Sequence, residues 1–101
     1  MTSNNKYSFQ KNADLETLES FQNLISNVKS LKDKTWGCPW QKIQSHISLI
    51  PFLNEESSEF TDAIYEKNAG NICEELGDLL LQIMLHAEIG YEEKEFELND
   101  V

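Results

Sequence analysis

Three glutamates crowd into five positions of the stretch FLNEESSEFTDAI, residues 52–64. The apolar residues around them recur at about 100° per residue, which predicts an α-helix. On that helix Glu56 falls inside the apolar arc, and Glu59 lies one turn further on, at the edge of the arc. A carboxylate that faces a core loses hydration, which costs free energy unless a cation or strong donors compensate. Glu56 therefore requires a partner.

A second pair of acidic residues occurs in the next predicted helix. Glu75 and Asp78 are three residues apart, as are Glu56 and Glu59, so each pair presents its carboxylates on one helical face. The short connection between the two helices predicts that they are antiparallel neighbours. Four carboxylates between packed helices repel one another, and divalent cations with a preference for oxygen relieve that repulsion. The spacing favours Mg²⁺ or Mn²⁺, and the alternative is that both pairs are solvated surface charge.

Two other kinds of metal site have less support from the spacing. Ferritin-like di-iron bundles use Glu-x-x-His, and neither His46 nor His86 has a glutamate three residues before it. A zinc site would need Cys38 and Cys73 together with both histidines, and the paired-ligand spacing typical of zinc sites is missing. The two cysteines are predicted to be reduced thiols, and Cys38 to be structural.

The composition limits the classes of partner. With 18 acidic and 8 basic residues among 101, the formal net charge is -10, which repels nucleic acid and anionic membrane surfaces. Residues 1–12 are polar and lack the apolar run of a signal peptide, and no later segment approaches a membrane span. We therefore expect a cytoplasmic protein with a polar tail over residues 1–12 and one helical domain over residues 13–101.

Three helical segments must position the acidic residues. The first is expected to start near Asp14 as its N-cap and to end before the segment KTWGCPW. The second starts near Ser45 or Ser48 and runs to about Lys67. The third opens with Asn71 as its cap. The expected fold is all-α, an antiparallel helical bundle.

The third helix is apolar on two sides. The face predicted to pack on the other helices carries Ile72, Leu76, Leu79, Leu80, Ile83 and Ala87. The face expected to stay open carries Leu81 and Leu85, and the polar stripe between the two consists of Glu75, Asp78, Gln82 and His86. An exposed apolar patch normally marks an interface. We therefore expect assembly into a dimer or a higher homo-oligomer.

The run GCPWQKIQSHISLIPFLNEESSEFTDAI, followed by NICEELGDLLLQIMLHAEI, resembles the MazG nucleoside triphosphate pyrophosphohydrolases, whose signature is E-E-x-x-E, a spacer and E-x-x-D. The resemblance covers about residues 15–101. It implies an all-α homodimer or homotetramer and Mg²⁺-dependent hydrolysis of an NTP or dNTP to the monophosphate and pyrophosphate, with Mn²⁺ as a substitute. Carried over by position, it implies that the metal ligands are Glu56, Glu59, Glu75 and Asp78, and that the catalytic residues are Glu55, Glu56 and Glu59. In that set Glu55 would orient or activate water.

The resemblance also suggests a role for the loop TWGCPWQKIQSH. Trp36 and Trp40 are interpreted as hydrophobic anchors of this loop, and Trp40 alternatively as part of a nucleotide pocket. The expected substrate contacts are Trp40, Lys42, Gln44 and His46. His86 is interpreted as a packing residue whose hydrogen bonds are satisfied.

The sequence departs from the family pattern in two places. Gln41 stands where the family commonly has aspartate after C-P-W. Family members usually continue into a further helix with basic residues, whereas this sequence ends with FELNDV. The second departure favours the alternative expectation, a catalytically weak helical interaction module that retains the fold.

Overall fold

The computed structural model describes residues 13–101, so the polar tail predicted for residues 1–12 lies outside the described part. Within residues 13–101 the regular elements are all helical, and the three long ones are α1 (Ala13–Leu31), α2 (Ile50–Glu66) and α3 (Ala69–Glu92). Single 3-10 turns occur at Gln41–Ile43 and at Leu98–Asp100. The all-α prediction is confirmed. None of the helices seen here combines the length and the apolar character that crossing a membrane requires.

The turn of Lys67 and Asn68 sets the boundary between α2 and α3. Lys67 adopts the left-handed conformation with φ 56°, and its N–H donates to the Ile64 carbonyl at 3.1 Å, which ends α2. Asn68 is extended, and its Oδ1 accepts the Asn71 N–H at 3.1 Å, so Asn68 caps α3. The prediction of Asn71 as the cap is therefore wrong. The tight turn makes α2 and α3 antiparallel, as expected.

The start of α1 also differs from the prediction. The helix already includes Asp14, which lies in its first turn together with Glu16. Asp14 is therefore not the N-cap, and the residue that precedes the helix lies outside the described part. Both carboxylates still favour the helix electrostatically, because the first turn carries the positive end of the helix dipole.

The core lies where the second half of α3 meets the second half of α1 and the residue that precedes α2. Leu49, Leu85 and Ile89 are fully buried there, and Val28 and Met84 complete the cluster. The α2–α3 pair thus rests on this cluster at the end that holds Leu49 and Leu85. The acidic residues lie further along the pair, in the middle of α2 and the first half of α3.

The prediction of which face of α3 packs inward is wrong in part. Leu85 is 0% exposed and Leu81 packs against the core, whereas Leu76, Leu80 and Ile83, the open face of α3, are 36% to 47% exposed. Ala87, also predicted to face inward, is buried, and Ile72 and Leu79 are half-buried. The first half of α1 adds further exposed apolar side chains, Leu15, Leu18 and Phe21. A helical wheel shows which residues share a face of a helix, but it does not show which face packs against another helix.

We expect Leu85→Ala to lower the free energy of unfolding by about 2–5 kcal/mol, because it leaves a cavity in the core. The control is Ile47→Ala, at a residue that is 79% exposed, with an expected change within about 0.5 kcal/mol. Urea denaturation of both variants at one protein concentration measures the difference. Equal destabilisation by the two variants would contradict the assignment of Leu85 to the core.

Candidate metal and active site

Helices α2 and α3 bring four carboxylates together, two from the middle of α2 and two from the first half of α3. One oxygen from each of Glu56, Glu59, Glu75 and Asp78 lies within 4.8 Å of the others. Each helix contributes two residues one turn apart, and the antiparallel packing sets the two pairs opposite each other. The structure thus brings together all four residues that the spacing singled out. Their role as metal ligands stays a prediction.

Two of the four carboxylates are partly withdrawn from water. Glu56 and Glu75 are half-buried, and the Oε2 atom of each is buried without a hydrogen-bond partner in the part of the chain described. A buried acceptor without a donor costs free energy, and a negative charge raises that cost. A divalent cation would supply the missing partner to both oxygens. The donor set, made of carboxylate oxygens alone, fits a hard cation such as Mg²⁺ or Mn²⁺.

The same crowding changes the titration of the cluster. The pKa of Glu75 is raised from 4.5 to about 7, chiefly by burial, then by the hydrogen bond and the negative charge of Glu59, and then by the charges of Asp78 and Glu56. Burial also raises the pKa of Glu56, together with the charges of Glu59, Asp78 and Glu55. A cluster of this kind holds a proton near neutral pH when no cation is bound, and a cation replaces that proton.

An open cleft of about 280 Å³ lies beside the carboxylates, between α2 and the start of α3. Its lining is mostly acidic or polar and consists of Glu59, Asp62, Ala63, Glu66, Asn71 and Glu75. This side of the cluster favours cations and repels anions. Glu55 is exposed and lies outside the group of four. Its predicted role in orienting water stays a prediction.

An aromatic pair lies on the other side of the cluster. The ring of Trp40 meets the ring of Phe52 edge-on, with centroids 5.2 Å apart, and Phe52 precedes Glu56 by one turn of α2. Trp40 is therefore anchored to α2 while 44% of it remains exposed. Trp36 is 89% exposed, so its interpretation as a hydrophobic anchor is wrong.

The polar residues proposed as substrate contacts make hydrogen bonds within the loop. Lys42 Nζ donates to the Lys34 carbonyl at 3.3 Å, and Gln44 Nε2 donates to the Trp40 carbonyl at 2.8 Å. These bonds stabilise the loop in the conformation that places Trp40 against α2. Contacts of Lys42 and Gln44 with a phosphate or a base stay predictions.

His46 and His86 form a pair that joins the loop to α3. Their Nδ1 atoms are 2.8 Å apart, so one imidazole donates and the other accepts. Burial, and then the neighbouring His46, lower the pKa of His86, which favours the neutral ring at that position. The Nε2 atom of His86 is buried without a partner among residues 13–101, so the prediction that His86 is fully satisfied is wrong. His46 as a substrate contact stays a prediction.

The alternative of a zinc site built from both cysteines and both histidines does not fit the fold. Cys73 is exposed near the start of α3, and His86 lies thirteen residues further along the same helix. At 1.5 Å per residue the two are about 20 Å apart along the axis. One ion cannot bind both. Cys38 is half-buried, and its N–H donates to the Leu31 carbonyl at 2.9 Å, in keeping with a structural role.

Lys32 directly follows α1 and is only 2% exposed, a burial that was not predicted. Its Nζ lies 3.0 Å from the Gln41 carbonyl oxygen and 3.4 Å from Glu92 Oε1. The sequence contains one indication of this burial. Lys32 lies four residues after Val28, so it is one helical turn further along the side of α1 that enters the core. A lysine at a core position needs partners for its charge, and here both lie on other elements.

Comparison with known proteins agrees with this geometry. The MazG nucleotide pyrophosphohydrolase domain matches residues 44–101. The nucleoside triphosphate pyrophosphohydrolase/pyrophosphatase MazG of Thermotoga maritima is 44% identical over 81 residues, which are 80% of this chain and 31% of that protein. The nucleoside triphosphate pyrophosphohydrolase of Escherichia coli K12 is 34% identical over 84 residues, 83% of this chain and 32% of that protein. The uncharacterized protein YabN of Bacillus subtilis is 43% identical over 81 residues, 80% of this chain and 16% of that protein. The chain thus spans less than a third of the length of these relatives.

We expect the metal-free protein to become less stable as the pH rises from about 5 to about 7. Folded Glu75 keeps its proton up to about pH 7, whereas in the unfolded chain the pKa is 4.5, so the folded state binds more protons in this window. Mg²⁺ should raise the melting temperature more at about pH 8 than at about pH 6, because binding requires the ionised carboxylates.

Melting curves with Mg²⁺ and with a chelator, recorded across this pH range, test both statements. Glu75→Gln is the control, because it removes the titrating group while other charges keep their own pH dependence. Identical pH profiles of the unaltered protein and Glu75→Gln would contradict the assignment.

Proposed function

The chain belongs to the MazG nucleotide pyrophosphohydrolase domain family, and from this premise we propose that it hydrolyses nucleoside triphosphates with the help of Mg²⁺. Water adds to the α-phosphorus, the bond between the α-phosphorus and the bridging oxygen breaks, and the products are a nucleoside monophosphate and pyrophosphate. The observation that carries the proposal is the four-carboxylate cluster with two buried, unpartnered oxygens. Mn²⁺ is the expected substitute, since it also prefers carboxylate ligands.

The cluster residues have distinct roles in the proposed reaction. Glu56, Glu59, Glu75 and Asp78 hold the metal, which when bound neutralises phosphate oxygens and activates water for attack. Glu55 directly precedes Glu56 on the same helix and is exposed, so its carboxylate is placed to accept the proton that the attacking water releases. Glu56 and Glu59 act in catalysis through the metal that they bind.

The two sides of the cluster favour one orientation of the substrate. The cleft beyond Glu59 is lined by Asp62 and Glu66, which repel the substrate's phosphates. The opposite side presents Trp40 and Phe52, whose rings suit a nucleobase or a sugar. We therefore propose that the base lies toward Trp40, where the contacts predicted for Lys42, Gln44 and His46 would also be made.

A second copy of the chain is part of the proposal. Six large apolar side chains of α1 and α3 are exposed, which is unfavourable in water: Leu15, Leu18, Phe21, Leu76, Leu80 and Ile83. Their burial between two copies related by a two-fold axis would give a homodimer, and two such dimers would give a homotetramer. The same stretch of α3 carries Glu75 and Asp78, so the interface would support the helix that holds two of the four ligands.

We expect Glu59→Gln and Asp78→Asn each to lower the rate of pyrophosphate release at least about 100-fold, the scale on which the loss of one electrostatic contact in an active site is felt. A neutral amide is a much poorer ligand for Mg²⁺ than a carboxylate. The matched control is Glu74→Gln, at an exposed residue next to Glu75 and outside the cluster, which should keep its activity.

A panel of NTPs and dNTPs with Mg²⁺ or Mn²⁺ gives the rates. Activity near that of the unaltered protein in Glu59→Gln or Asp78→Asn would reject the proposed site. Failure of the unaltered chain to release pyrophosphate from any substrate would favour the helical interaction module instead.

We expect the unaltered chain to be at least dimeric at micromolar concentration, and Leu80→Glu with Ile83→Glu to produce a monomer that keeps its helices. Both side chains lie on the open face, so the charges disrupt the interface without entering the core. Light scattering measures the mass, and circular dichroism measures the helical content. A monomeric unaltered protein would contradict the interface.

A further inference from the structure

Lys32 joins three parts of the fold. It directly follows α1, its Nζ lies 3.4 Å from Glu92 on α3, and the same Nζ donates to the Gln41 carbonyl at 3.0 Å. A buried ammonium group is stable only with partners close by, and both of these lie within reach of one atom. The contact with Gln41 fixes the residue directly after Trp40.

The loop is also fixed on the other side of Trp40. Asp33 Oδ1 accepts the N–H groups of Thr35 at 2.9 Å and Trp36 at 2.7 Å, and the Gly37 N–H donates to the Asp33 carbonyl at 2.9 Å. Cys38 is bonded through its N–H to the end of α1. Among the loop contacts described here, the buried charge of Lys32 holds the segment that follows Trp40, and backbone and Asp33 hydrogen bonds hold the segment that precedes it.

A purely structural role in joining α1 to α3 does not account for Lys32. Lys29, one turn earlier on α1, already makes that connection through Glu88 at 3.1 Å and through the ring of Tyr91 at 4.6 Å. Lys29 is half-exposed and its partners Glu88 and Tyr91 both lie on α3, whereas Lys32 is buried and also bonds to a loop carbonyl. Both lysines thus pair with a glutamate of α3, and Lys32 differs by its bond to the loop.

We infer that Lys32 is a positioning residue for nucleotide binding: by holding the Gln41 carbonyl, it keeps Trp40 against Phe52 at the edge of the carboxylate cluster. This inference rests on the proposed function, because it assigns Trp40 to the substrate side of the site. Lys32 itself touches neither the carboxylates nor the substrate. Its loss changes the affinity for the nucleotide and leaves metal binding intact.

The test uses the full chain carrying Trp36→Phe, so that Trp40 is the one tryptophan left of the two. Lys32→Met keeps the apolar stem and removes the charge, a replacement that folded proteins tolerate when the new side chain packs. Lys29→Met is the matched control. The measurements are acrylamide quenching of Trp40, the Kd of a non-hydrolysable nucleoside triphosphate analogue with Mg²⁺, and the rise in melting temperature caused by Mg²⁺ alone.

We expect Lys32→Met to bind the analogue about tenfold more weakly, the change in Kd that corresponds to the net free energy of about one hydrogen bond. We also expect acrylamide to quench Trp40 more strongly in this variant. Lys29→Met should change the Kd less than about twofold. Both variants should keep the rise in melting temperature with Mg²⁺, since neither touches the four carboxylates. Lys32→Gln, too short to reach the Gln41 carbonyl, replaces the methionine variant if that variant does not fold.

Each contrary result has one meaning. Unchanged analogue affinity, or unchanged quenching of Trp40, in Lys32→Met overturns the positioning role. Loss of the Mg²⁺ effect in that variant overturns it as well, because the damage then extends to the carboxylates. An unaltered chain that gains stability from Mg²⁺ but binds no analogue rejects the proposed function, and the inference falls with it.

Discussion

Repulsion among four carboxylates is the constraint on which the α2–α3 pair depends. The side chains meet because the helices are antiparallel and joined by a turn of two residues, Lys67 and Asn68. Packing that close sets negative groups within 4.8 Å, which costs stability unless protons or cations are taken up. Burial first, and then the neighbouring negative charges, raise the pKa values of Glu56 and Glu75, so repulsion contributes to both shifts. A helix pair selected for stability alone would place smaller or apolar residues there.

The sequence predicts the candidate site well where a single periodic pattern determines which side chains share a helical face. Helical spacing alone paired Glu56 with Glu59 and Glu75 with Asp78, and the brevity of the connection set the two pairs opposite each other, as the structure has them. The residue that caps α3 was harder to predict. Asn68 and Asn71 are both good N-caps, and only the backbone conformation distinguishes them.

Contacts between elements that are far apart in the sequence could not be predicted from local sequence patterns. Leu85 was predicted to be open and is buried, and Leu80 was predicted to pack inward and is exposed, because the two residues have the same character and only the position of Leu49 and Val28 distinguishes them. Lys32 was overlooked for a related reason. A lysine is normally expected on the surface. The burial of Lys32 follows from its partners on α3 and on the loop, which no local pattern in the sequence reveals.

The distribution of lysines explains why the proposed chemistry requires a metal in so acidic a chain. Lys29 and Lys32 pair with glutamates of α3, Lys34 lies 3.8 Å from Glu92, and Lys42 donates to a carbonyl of its own loop. Lys29, Lys32 and Lys34 are thus paired with carboxylates, so they contribute little free positive charge to a triphosphate. With a formal net charge of -10, the chain repels such a substrate at long range. In the proposed reaction the cation therefore relieves two repulsions together, one among the carboxylates and one between the carboxylates and the phosphates, and substrate affinity should follow metal occupancy.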